Sequence, residues 1–323
     1  MLLVALAVIL APVGVEPASA IARGEDAPDG GYRFSVRLTM TGIPTADHGS
    51  RDSWCSGALI APRWVVTAGH CFRTADDQRV SRTVARRTTA TVGRTNLDDQ
   101  GGHVVDVVAV HQSDSADVAL AELAAPISDI APLRVGDTPP RTGETVRLTG
   151  YGQTDADSAA PTTLQTGRFV VGRVGDSVLE VSGRSPHRDT SACLHDSGGP
   201  YFLEPPGGAP VLVAVVSNGP TCPHEGADVS ARTDNLVGWI ADTTSPRANP
   251  LAASSDRLGV TVGLLVLVLL ALAVFLLVGA TRSPGRRRRS RGSRSSRGTP
   301  GVSPRPDRER PAAQRDRAAR RAA

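Results

Sequence analysis

From Ile21 to about Ala241, apolar and polar residues trade places along short stretches. Arg33–Thr39 alternates throughout, and parts of Thr83–Val92, His103–Val110, Glu144–Thr149, Ser177–Val181 and Val211–Val216 do the same. A period of two belongs to a strand with one face on a core and the other toward water. β-branched residues, which suit a pleated surface, dominate these segments. Turn residues recur between them, and few windows show a helical period before Thr233–Asp242. The pattern predicts an all-β barrel or sandwich class ending in a short helix. About 220 residues suffice for two small barrels, each with its own core.

The ends of the chain read differently. Residues 1–20 are an apolar run closing on Ala18-Ser19-Ala20, the pattern of a secretory signal peptide with its cleavage site. The basic segment that normally opens such a peptide is missing, so the start codon is expected upstream. Residues 243–257 form a polar Pro/Ser/Ala linker. Leu258–Ala280 then runs for 23 residues without a charge, enough at about 1.5 Å per residue to cross a hydrocarbon core of about 30 Å. Arg282 and the run Arg286-Arg287-Arg288-Arg289 follow directly, which places the C-terminus in the cytoplasm and residues 21–242 outside, at the cell membrane. The tail, 281–323, is expected to be disordered. It reads first as a stop-transfer flank with a solvated tail; as a binding segment it would meet anionic lipid rather than nucleic acid, since it has no aromatic ring to stack on a base.

Composition sharpens this division. Residues 282–323 hold 15 Arg against three acids, a charge of +12, which leaves −8 for the rest of a chain whose net charge is +4. The basic character thus belongs to the tail. Every basic residue is Arg, and with the abundant Ala this suggests a GC-rich bacterial genome. Cys55, Cys71, Cys193 and Cys222 allow three pairings and form no CxxC pair, which points to disulfides of an exported chain and not to zinc.

The stretch with the most chemistry is Cys193-Leu194-His195-Asp196-Ser197-Gly198-Gly199-Pro200. A serine between an acid and two glycines reads as a tight exposed turn. Such a turn can present a hydroxyl and aim peptide N–H groups at one point, as acyl transfer requires. Upstream, Trp64-Val65-Val66-Thr67-Ala68-Gly69-His70-Cys71 delivers a histidine at the end of an apolar strand. Asp117-Val118-Ala119-Leu120-Ala121-Glu122-Leu123 opens another strand with an acid. Asp117 is preferred to Asp114, because the apolar alternation begins after it. His103 and His111 lack such a context.

In this order of His, Asp and Ser, the three motifs resemble the chymotrypsin/trypsin-like serine proteases over Ile21 to about Ala241. The resemblance implies two antiparallel Greek-key β-barrels, about 30–125 and 135–232, with the active site in the cleft between them. It also implies His70 as general base, Asp117 as the acid that orients it and Ser197 as nucleophile. Disulfides Cys55–Cys71 and Cys193–Cys222 follow from it. So does an oxyanion hole built from the N–H groups of His195 and Ser197. Ser217 would support the aspartate and Gly219 would pair its backbone with a protein or peptide substrate. Gly150-Tyr151-Gly152 resembles another family turn. No metal or organic cofactor is implied.

The chain departs from the family at two positions. His195 stands where Gly is usual, and its Cβ restricts the backbone that must present the oxyanion donor. Asn218 replaces the usual Trp, which opens the pocket wall. At the pocket base Ser191 stands where trypsins carry Asp, while Asp228 aligns with a second pocket position, where it would offer a counter-charge to Arg or Lys; the alternative is that it sits on a displaced loop, which holds Pro223, His224 and Glu225. The mature terminus resembling the family's is Ile21-Ala22-Arg23-Gly24, whose ammonium would pair with Asp196. Since Ile21 follows the signal site directly, signal peptidase itself is expected to create it. The reading is a membrane-tethered serine endopeptidase. The rivals are a protease-like binding module silenced at its oxyanion hole, and a sensor whose working part is the Arg tail.

Overall fold

The computed structural model describes residues 21–154, 161–245, 265–274 and 276. The first strand, β1 (Glu25–Asp26), stands apart from the barrel that follows. That barrel is built from β2 (Ser35–Pro44), β3 (Ser50–Ala61), β4 (Trp64–Thr67), β5 (Arg87–Val92), β6 (His103–Gln112) and β7 (Ala119–Leu123). The strands close in the order β2-β3-β4-β7-β6-β5, all antiparallel. In β2 the alternation works as written: Val36, Leu38 and Met40 are buried while Arg37 and Thr39 face outward. β4 is buried at every position, which suits its unbroken Trp-Val-Val-Thr.

The second barrel follows β8 (Arg134–Val135) and comprises β9 (Thr145–Gly150), β10 (Gln165–Val174), β11 (Val178–Ser185), β12 (Pro200–Leu203), β13 (Val211–Asn218) and β14 (Ala227–Arg232). Its order is β10-β11-β14-β13-β12-β9, and β9 closes back onto β10. The two short strands are accessories: β1 pairs with β10, and β8 runs parallel to β13. A 3-10 turn at Asp234–Leu236 leads into the helix α1 (Val237–Thr244), which runs slightly beyond the segment expected from the sequence.

The barrels meet through apolar and polar contacts. Phe202 of the second barrel packs edge-on against Phe34, with ring centroids 5.3 Å apart, and Tyr32 tilts over it at 5.6 Å. The hydroxyls of Ser35 and Thr149 share a hydrogen bond of 2.8 Å across the same seam. An edge-to-face aromatic pair contributes about 0.5–1.5 kcal/mol beyond its area, so this junction holds a fixed cleft.

Of the Leu258–Ala280 run, residues 265–274 and Leu276 are described; they are helical and exposed. Among the described residues no helix is long and apolar enough to cross a membrane. The leader 1–20, the linker beyond Ser245, the remainder of the apolar run and the tail 281–323 lie outside the described residues.

Candidate active site

β4 ends at Thr67, and a 3-10 turn over Gly69–Phe72 carries His70 away from the barrel. The Cys55–Cys71 disulfide ties this turn to β3. In the loop-entropy model a closure of this length stabilises by about 3 kcal/mol. Gln112, at the end of β6, donates from Nε2 to the Gly69 carbonyl at 2.9 Å and fixes the turn from its other side.

Asp117 lies just before β7, a strand that pairs with β4, so the fold brings acid and imidazole together from 47 residues apart. Its Oδ1 accepts the His70 peptide N–H at 2.8 Å, and its Oδ2 stands 2.7 Å from His70 Nδ1. Ser217, from the second barrel, donates its hydroxyl to the same Oδ2 at 2.7 Å. Arg79 donates to the Ala116 carbonyl at 3.0 Å and approaches Oδ1 at 3.5 Å. Burial alone would push this carboxyl up. The hydrogen bond and charge of His70, with the Ser217 hydroxyl, outweigh it and hold Asp117 down to about 2. Asp117 is therefore ionised, and it orients the ring with Nδ1–H toward itself. Asp114 is exposed and makes no such contacts.

The turn that bears Ser197 is latched to the first barrel. The Ser56 N–H donates to the Ser197 carbonyl at 2.9 Å, and the Ser56 hydroxyl donates to the His195 carbonyl at 3.1 Å. Gly198 has φ +82°, and a Cβ there would lie 2.0 Å from Thr67 Oγ1 and 2.6 Å from the Ala68 nitrogen. Only glycine allows the turn to sit this close to the segment that leads into His70. The Cys193–Cys222 disulfide anchors the turn's other end.

His195 adopts the left-handed conformation, φ +73°, that a glycine would take freely. Such a conformation costs an ordinary residue roughly 1–2 kcal/mol, and three features of the side chain offset this. The ring stacks on Trp54 with centroids 3.6 Å apart, Nδ1 donates to the Trp54 carbonyl at 2.9 Å, and the Arg37 guanidinium lies over the Trp54 ring at 4.7 Å. Burial, with Arg37 and Arg51 nearby, pushes the imidazole pKa down, against the pull of the Trp54 carbonyl. Among the described residues, neither the His195 nor the Ser197 peptide N–H donates to a protein acceptor. Both donors are left for a ligand, and the His195 ring is engaged with Trp54.

Beside Ser197 a cavity of about 330 Å³ is lined by Ala192, Val216, Ser217, Gly219, Cys222 and Asp228, among others. A Cβ at Gly219 would lie 2.0 Å from Asp228 Oδ1, so the acid occupies the space a side chain would take. Asp228 Oδ2 accepts the Ala192 N–H at 3.2 Å, and Oδ1 faces His224 Nε2 at 3.0 Å. Burial raises its pKa; Ala192 and His224 oppose that. Ser191 is buried behind it, and its hydroxyl accepts the His224 N–H at 3.3 Å.

Asp196 is fully buried. Its oxygens accept the Gly152 and Cys193 N–H groups at 2.9 and 3.0 Å, and burial drives its pKa well above the usual carboxylate range. Among the described residues no cationic side chain pairs with it. Ile21 is fully buried too, and the Ala22 carbonyl accepts the Ser191 N–H at 3.1 Å, which draws the segment after residue 20 into the second barrel. The contacts made by Arg37, Trp54, Arg79, Gln112 and His224 escaped the sequence reading. Each acts across a long separation or from a loop without periodicity, and none sits in a distinctive motif.

The family model described as Trypsin matches residues 21–240. Serine protease 56 of Mus musculus is 27% identical over 250 residues, which cover 70% of this chain and 39% of that protein. The chain thus spans well under half the length of this curated relative.

Proposed function

We propose that this chain, a member of the trypsin family, is a serine endopeptidase in which His70, Asp117 and Ser197 carry out hydrolysis through an acyl-enzyme. The observation that carries this reading is the Asp117 carboxylate, which holds His70 Nδ1 at 2.7 Å while Ser217 reaches it from the second barrel. Ser197 Oγ attacks the scissile carbonyl carbon and His70 Nε2 takes its proton. The His195 and Ser197 N–H groups stabilise the oxyanion, and His70 returns the proton to the leaving amine. Water then attacks the acyl-enzyme by the same route and frees Ser197. The left-handed backbone of His195 with its unspent N–H supports an open oxyanion hole and speaks against a silenced binding module.

The substrate is a protein or peptide, with Arg or Lys before the scissile bond. Asp228 in the cavity supports that preference, Gly219 leaves it room, and neutral Ser191 and the open position of Asn218 allow other side chains as well. Activation comes from a free Ile21 ammonium beside Asp196. A fully buried carboxylate held by two peptide N–H groups is costly to ionise alone, and an α-ammonium compensates it. Signal peptidase would expose Ile21 directly. The apolar run Leu258–Ala280 and the Arg cluster after it support a single-pass anchor, with the protease outside and the tail inside against anionic lipid.

A fluorophosphonate probe tests the chemistry. The protein should be labelled, and Ser197→Ala should abolish labelling. A folded wild-type protein that remains unlabelled would refute the catalytic reading.

A further inference from the structure

We propose that His224 is a specificity-determining residue, whose pairing with Asp228 makes the preference for a cationic side chain before the scissile bond depend on pH. The inference rests on Asp228 being the counter-charge of the pocket. Asp228 lines the cavity and His224 does not, so the imidazole meets the carboxylate from behind. The pair is almost closed to solvent: the side chains of His224 and Asp228 are 10% and 3% exposed. The neighbouring disulfide at Cys222 and the bond from the His224 N–H to Ser191 hold the loop in place.

His224 Nε2 faces the Asp228 carboxylate at 3.0 Å and Nδ1 faces the Glu225 carbonyl at 3.4 Å. Both neighbours are acceptors. The neutral ring can donate to one of them, the imidazolium to both. With His224 neutral, the pair presents one negative charge to the cavity and a guanidinium or ammonium is drawn in. With His224 protonated, the pair is neutral and that attraction is cancelled where little water screens it. A neutral substrate side chain senses the change far less. The other ionisable groups facing Asp228 are Asp196 in the nucleophile turn and the Tyr201 phenol on β12, which burial keeps protonated through the neutral range.

The test uses the full chain and two peptides that differ only in carrying Arg or norleucine before the cleaved bond. The ratio of their kcat/KM values cancels the titration of His70, which both substrates share. From about pH 5.5 to 8.5, across which an imidazole changes charge, the Arg/norleucine ratio should rise about tenfold in the wild type. It should stay flat in His224→Gln, which keeps a donor toward Asp228 but does not titrate. Norleucine cleavage reports that the variant is folded, and His224→Asn serves as a second non-titrating replacement. A flat wild-type ratio that remains high and falls in Asp228→Asn would overturn the role of His224 while leaving Asp228 as counter-charge. An equal rise in His224→Gln would overturn it as well, and assign the titration to the carboxylates. A ratio near unity in both wild type and Asp228→Asn would refute the Asp228 reading and the inference with it.

Discussion

Replacing Asp117 by Asn changes one atom and should remove most of the activity. The carboxylate accepts at three places: the His70 peptide N–H at 2.8 Å, His70 Nδ1 at 2.7 Å and the Ser217 hydroxyl at 2.7 Å. An amide can keep its carbonyl on the peptide N–H, but its NH₂ then faces Nδ1. That nitrogen must accept, so the ring proton moves to Nε2, the atom that should receive the proton of Ser197. The wrong tautomer costs roughly 10⁴-fold in kcat, about 5.5 kcal/mol of barrier. A carboxylate acting only as a nearby charge would contribute about 0–1 kcal/mol, under roughly tenfold. Steady-state kcat at saturating peptide separates the two, with probe labelling as a measure of residual nucleophilicity. A loss of less than tenfold in folded Asp117→Asn would refute the tautomer argument. Stability gives a second readout. The acid sits at about 2 when folded, below its reference of 3.8, so its stabilisation is present above the reference value and is lost as pH falls toward 2. With the side chain 24% exposed, about 1–2 kcal/mol remains after screening by solvent. The stability difference between wild type and variant at pH 7 should therefore shrink between about pH 4 and 2.

Other outcomes follow from single contacts. Gly198→Ala places a methyl 2.0 Å from Thr67 Oγ1; kcat should fall at least about 100-fold, as for a displaced oxyanion donor, and a fall under threefold would contradict the close packing of the turn. Gly219→Ala puts its Cβ 2.0 Å from Asp228 Oδ1, so cleavage after Arg should drop more than cleavage after norleucine, and an unchanged ratio would count against Asp228 as the pocket acid. N-terminal sequencing of the mature protein should begin at Ile21, and one extra residue ahead of it should abolish activity; full activity in the extended protein would sink the ammonium–Asp196 pairing.

Much of the framework was legible because strands write themselves as alternation. Glu144–Thr149 and Val211–Val216 correspond to β9 and β13 to within two residues at either end, although both strands are buried on both faces, at five successive positions of β9 and six of β13. Thr83–Val92 shrank to β5 at Arg87–Val92, because the strand pairs with β2 only as far as Thr41. The two-residue strands β1 and β8 carry too little pattern to be seen; they pair where β10 and β13 run past the ends of β11 and β14, which leaves peptide groups there to be met. In the site, Asp117 was legible because an apolar strand begins right after it. The partners of His195 were not, since Trp54 lies 141 positions away and the contact depends on a backbone conformation that a histidine rarely adopts. His224 meets Asp228 within a loop that has no periodicity, so spacing offered no signal.

The division of the site between barrels bears on how the cell survives making the enzyme. His70 and Asp117 belong to the half of the chain synthesised first, whereas Ser197 and Ser217 emerge at least 80 residues later. Domains generally fold in the order they leave the ribosome, so the early half can close its barrel, base and acid in place, without a nucleophile to arm. On the proposed mechanism competence arrives as a late event, when β12, β13 and finally β14 complete the second barrel and carry serine, pocket and support to the waiting imidazole. Under the proposed mechanism, a chain still being made carries base and acid without a nucleophile, a safeguard that needs no inhibitor and resides in the order of the gene.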